Sequence, residues 1–168
     1  PAKLALQPGD RIAILGNALP DRMQHSGYLE ALIVAKHPKH DLVFRNLSAA
    51  GDEVATWHRS ENFGSRQEWL QKVRADVVLA FYGFAEAFKG AEGLPKFKAD
   101  LDQFLKAAQK QDFCGKRAPR LVLFGPPADE KHIDPNYPDP AANNERLQSY
   151  SAAMAEVAAV RSAVVSVS

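Results

Sequence analysis

Four short apolar runs, "RIAIL" (11–15), "LVFRN" (42–46), "DVVLAFY" (76–82) and "RLVLFG" (120–125), alternate with segments of helical periodicity, and a fifth, "AVVSV" (163–167), closes the chain. Val, Ile, Leu and Phe in unbroken runs suit strands that are covered on both faces, as in a parallel sheet. Between the runs, residues 21–36 set Met23, Leu29, Leu32 and Ile33 along one side of a helix, and residues 66–75 do so with Trp69, Leu70 and Val73. Residues 94–111 repeat the pattern with Phe97, Leu101, Phe104 and Leu105, and residues 141–160 with Leu147, Tyr150, Met154 and Val157. Apolar side chains at this spacing form one face of a helix that packs on a sheet. Parallel strands joined by right-handed helical crossovers leave few topologies. The alternation therefore predicts an α/β fold: a three-layer α/β/α sandwich around a five-stranded parallel sheet of flavodoxin-like strand order.

The 168 residues supply the core of one domain and too little for two, so 1–168 is expected to be a single domain. A formal net charge of +1 and 46% hydrophobic residues fit a globular chain and argue against a nucleic-acid binder or a disordered tail. The densest basic run, "KHPKH" (36–40), fits a helix end at the surface. No apolar run approaches the roughly 20 residues that span a bilayer. Cys114 is the single cysteine, which excludes an internal disulfide and a cysteine-built zinc site. The chain starts at Pro1 without a signal-peptide pattern and stops on a strand-like segment, so it is expected to be a piece of a longer protein.

In an open parallel sheet, ligands sit beyond the carboxyl ends of the strands. The residues there are Gly16, Asn17 and Ala18 after the first run, Leu47 to Asp52 after the second, and Gly83 to Glu86 after the third. After the fourth comes "GPPADEKHIDPNYPDPAANN" (125–144), whose five prolines exclude regular structure and whose length suggests function. The first junction lacks a phosphate-cradling run of glycines or Ser/Thr residues, which weakens a flavin or nucleotide reading. No cofactor is expected.

The order "LGNAL", "RNLSAAGDEV", "FYGFAEAF" on consecutive strands resembles the block succession of the SGNH (GDSL-type) hydrolases, over essentially the whole chain. With "DRMQH", "FRNL" and "AANNERL" it is similar to the SGNH-like domains of large exported multidomain bacterial proteins. The resemblance implies an ester hydrolase fold, a small-molecule or glycan ester ligand, neighbouring domains, and an exported or periplasmic location. Carried over position by position, it puts Ala18 where the nucleophilic serine belongs and Asn17 where an aspartate is usual. Gly51 takes the place of the oxyanion backbone donor, with Ser48 in place of the glycine before it. Gly83 matches the third block, but Ala85 stands where an asparagine donor belongs, followed by Glu86. The D-x-x-H block is absent, and Ser166 or Ser168 falls nearest its position.

Acyl transfer needs a nucleophile, a base and oxyanion donors together. With Ala18, Ala85 and no D-x-x-H, the serine mechanism has lost three of its parts. His132, in the long loop, is the candidate replacement base, and Ser48 and Ser26 are candidate stand-in nucleophiles. Asp52 and Glu86 are candidate binding residues that would activate a water or hold a hard cation if they faced each other. The structural alternative has Asp52 capping the next helix and Glu86 bonding loop backbone. His25, four residues after Asp21, fits a surface or packing role. Tyr82 or Phe84, and Trp57 or His58, are candidate apolar walls of the cleft, with packing as the alternative.

Overall fold

The computed structural model describes residues 3–161 and 164–167. Five strands, β1 (Arg11–Gly16), β2 (Val43–Asn46), β3 (Val77–Phe81), β4 (Arg120–Phe124) and β5 (Val164–Val167), form one sheet in the order β2-β1-β3-β4-β5. Every pairing is parallel. This is the α/β architecture and strand order that the alternating runs predict. β3 is buried along its whole length because it lies at the centre with apolar layers on both faces. On one face, Leu15, Val78, Leu123 and Tyr82 pack with Phe97, Leu101, Leu105 and Met154 of the two long helices; on the other, Ile12, Ile14, Val77 and Phe81 meet Met23, Leu29 and Ile33.

The helices differ in detail from the sequence pattern. The segment expected as one helix over 21–36 is two, α1 (Ala18–Met23) and α2 (Tyr28–Lys36), divided at Gly27 with φ +62°. α3 (Arg66–Lys72) starts on a capping box in which Ser65 and Glu68 satisfy each other's backbone N–H. A short helix not anticipated from the pattern, α4 (Phe84–Ala87), directly follows β3. α5 (Gly90–Gln109) begins four residues earlier than the periodicity implies, and α6 (Ala141–Ala159) matches its pattern. Among the described residues, no helix is long and apolar enough to cross a membrane.

One glycine fixes how closely the central strands meet at the rim. Gly16 has φ +144° and is the Cα partner of Phe81; a Cβ there would collide with the Phe81 carbonyl oxygen and come within 2.8 Å of Pro20 Cγ. Gly27 also has positive φ but has open space around it. Gly16→Ala is therefore expected to cost about 2–4 kcal/mol, combining strain with a backbone clash. Gly27→Ala is expected to cost about 1–2 kcal/mol from its left-handed conformation alone. Urea unfolding of the two variants measures the difference.

Candidate functional site

The carboxyl ends of β1, β3 and β4 line a partly open cavity of about 140 Å³. After β1 its wall is Asn17, Ala18 and Leu19; after β3 it is Phe84 beside Phe81. The end of β4 and the start of the proline-rich segment, Phe124 to Pro127, complete it. The strand register makes the aromatic floor. Phe81 and Phe124 are Cα partners on neighbouring parallel strands, so their rings stack with centroids 4.3 Å apart and planes 5° from parallel. Tyr82 borders the cavity, but its ring turns to the opposite face, is 1% exposed, and packs edge-on against Phe104. Burial pushes its hydroxyl up to about 12.

Ala18 is the first residue of α1 and presents only a methyl group to this space. Asn17 holds the N-cap position, yet its side chain makes no capping hydrogen bond. It is 4% exposed, and its Nδ2 has no hydrogen-bond partner. A buried amide nitrogen without a partner is uncommon in folded proteins. The cavity wall carries no serine, threonine, cysteine, histidine or carboxylate side chain among the described residues.

The remaining candidates lie around this space rather than in its wall. The second junction runs beside the first, since Ala49 N donates to Gly16 O at 3.2 Å. Gly51, two residues on, is exposed with φ +88°, and its nearest side-chain neighbour is His58, 3.8 Å from where a Cβ would stand. The Ser48 hydroxyl donates to the Ile14 carbonyl oxygen at 3.4 Å, and its N–H donates to Asn46 Oδ1. Ser26 is exposed with its hydroxyl on Met23 O, and His25 is also exposed. Ala85 lies within α4, half-buried and outside the wall. His132 is exposed: its ring stacks on Tyr137 at 4.1 Å and its Nδ1 accepts from Asp134 N at 3.0 Å. Ser166 is exposed in β5, and Ser168 lies outside the described residues.

The two carboxylates are engaged separately, so the shared water or cation they would hold as a facing pair is not built from them. Asp52 is fully buried and takes Arg59 in a two-pronged contact, Nη1 to Oδ1 at 2.8 Å and Nη2 to Oδ2 at 3.0 Å. It also accepts from His58 N. It does not cap the next helix, because α3 starts only at Arg66 and is capped by Ser65. Arg59 in turn lies over Trp57, 3.6 Å from the ring centroid, so Trp57 closes this loop rather than the cavity. Glu86 bonds loop backbone: Oε2 accepts from Gly83 N and Oε1 from Val54 N, both at 2.9 Å. Burial raises its pKa above the ordinary carboxylate value.

The aromatic floor and the contribution of Pro126 and Pro127 are not evident from the sequence. Equal counts from β3 and β4 to their last Phe were the available signal, but they become informative only once the two strands are known to be neighbours.

No protein-family model and no curated protein sequence matches the chain. Solved structures do. One is a gut microbial diltiazem-metabolizing enzyme, with a TM-score of 0.70 and 16% identity, over 96% of this chain and 37% of that one. Another is the psychrotrophic esterase EstA from Pseudoalteromonas sp., with a TM-score of 0.62 and 17% identity, over 94% of this chain and 77% of that one. A third is described as a GDSL-like lipase from Parabacteroides merdae, with a TM-score of 0.59 and 17% identity, over 92% and 78%. The chain has the SGNH hydrolase fold. It spans little more than a third of the first of these structures and over three quarters of the other two.

Within this SGNH fold, Glu86 titrates against folding. A raised folded pKa means that the native state holds the proton more tightly than the unfolded chain does. Its contribution to stability is therefore present below the ordinary value of 4.5 and is lost as pH rises through the folded pKa. In Glu86→Gln one backbone N–H faces an amide NH₂, which is expected to cost about 1–3 kcal/mol at low pH. The gap between wild type and variant should narrow as pH rises from 4.5, measured by urea midpoints across that range.

Proposed function

We propose that this SGNH domain holds a small ligand without running the serine mechanism of an ester hydrolase. The observation that carries this reading is the composition of the cavity wall: at the position that resembles the family's nucleophile stands Ala18, and among the described residues no other wall residue offers a nucleophile or a base. An acyl-enzyme requires both within hydrogen-bond reach. Removing triad members leaves only the residual catalysis of binding and oxyanion donors, and the asparagine donor position is Ala85. Ser48, Ser26 and His132, the replacements that the sequence offers, are each occupied with backbone partners outside the cavity. The likeness to domains of exported multidomain proteins supports a place in a larger exported chain, in which the domain would present its ligand to its neighbours.

Hydrolysis of p-nitrophenyl acetate tests the reading. The chain is expected to match the buffer rate, and Ser48→Ala is expected to change nothing. Turnover well above buffer overturns it, and loss of that turnover in Ser48→Ala would identify Ser48 as the nucleophile.

A further inference from the structure

The cavity's dimensions and its unpaired amide define the ligand more narrowly, on the assumption that the cavity is a binding site at all. We propose that it takes a neutral molecule about the size of one benzene ring, bearing a single carbonyl acceptor, and that Asn17 is the residue that selects it.

Size comes first. An apolar protein cavity of about 150 Å³ accommodates benzene, and this one is about 140 Å³. Its floor is the stacked Phe81–Phe124 pair, with Phe84, Leu19 and Pro126 around it, a surface suited to a flat apolar body. Charge comes next. Among the described residues no Lys, Arg or His lines the space, so a carboxylate entering it would lose hydration without gaining a counter-ion. A sugar fares no better, because its several hydroxyls would meet one amide and otherwise hydrocarbon, each unpaired group costing about 1–3 kcal/mol. The cavity therefore favours a flat apolar body over the glycan that the family resemblance implies.

Asn17 supplies the one specific polar contact. Its side chain is buried in the wall, makes no capping hydrogen bond, and leaves Nδ2 without a partner. The terminal amide torsion is soft, so a rotation about χ2 turns the NH₂ toward the cavity, where it donates to a ligand carbonyl. The donor that folding leaves unsatisfied is then satisfied by binding. This amide differs from the oxyanion donors that the resemblance assigns to positions 51 and 85, and it recognises a ground-state carbonyl without a nucleophile beside it.

The test uses four probes on the unmodified chain, followed by the side-chain amide signals in ¹H–¹⁵N spectra: acetophenone, ethylbenzene, benzoate and N-acetylglucosamine. The Asn17 amide pair is assigned by its disappearance in Asn17→Ala. Acetophenone is expected to bind saturably and to shift the Asn17 pair. Ethylbenzene, of the same size without the acceptor, should bind about 3- to 10-fold more weakly, the equivalent of one neutral hydrogen bond. Benzoate and N-acetylglucosamine should give no saturable shift. In Asn17→Ala, acetophenone should fall to the affinity of ethylbenzene. In the isosteric Asn17→Asp, which places an ionised acceptor opposite the carbonyl, it should fall further while ethylbenzene changes less.

Equal affinity for acetophenone and ethylbenzene overturns the proposal, as does tighter binding of benzoate or the sugar, or an acetophenone affinity indifferent to Asn17→Ala. Failure of all four probes to bind also overturns it. None of these results bears on the absence of hydrolysis, which is measured separately with p-nitrophenyl acetate.

Discussion

The Glu86 carboxylate joins the second and third strand junctions, and the site's geometry depends on that link. Its two oxygens take the N–H of Gly83, which starts α4, and the N–H of Val54, in the long segment between β2 and α3. Both donors would otherwise be buried without partners, at a cost comparable to a lost hydrogen bond each. Together with the Lys89–Glu53 ion pair, this link holds residues 47–65 against the junction that follows β3. Two arginines extend it. Arg59 closes the segment on Asp52 and the Leu47 carbonyl, and Arg66 donates to the carbonyls of Val54 and Glu53. A segment with no helix or strand of its own is thereby ordered by charged side chains bonded to its backbone. The same engagement removes these groups from chemistry, since a carboxylate that already accepts two backbone hydrogen bonds is poorly placed to activate water.

The rim of the sheet is thus well built for shape and poor in reagents. Strand register stacks Phe81 on Phe124, Gly16 lets β1 approach Phe81 closely, and the proline-rich segment contributes two rigid rings to the wall. These features sit where open α/β sheets hold ligands. An apolar surround strengthens a polar contact made within it. Among the described residues, the polar side chain placed for such a contact is Asn17.

Much of the fold was legible because parallel strands buried on both faces leave long apolar runs, and because crossover helices must carry their apolar residues at a different period. Helix boundaries were less so. The break at Gly27 and the short α4 after Gly83 depend on positive backbone angles that a periodic pattern does not register. At the site, the sequence located the junctions and showed that Ala18 and Ala85 carry no functional group. It left Asp52 and Glu86 open as a facing pair, and it left His132 free to fold inward. Whether two carboxylates meet, or a loop histidine stays on Tyr137, depends on which backbone donors and rings lie nearby in space; the Val54 N–H that Glu86 takes is 32 residues away in sequence.

The sequence by itself determined the layer architecture, the order of the strand junctions and the chemistry missing from them, because periodicity and residue identity are local properties. Only the tertiary structure decided which junctions share a cavity, how large it is, and that Asn17 enters its wall with an unsatisfied donor. Those outcomes depend on strand register and on competition among side chains for backbone partners, and both are settled only when the whole chain has packed.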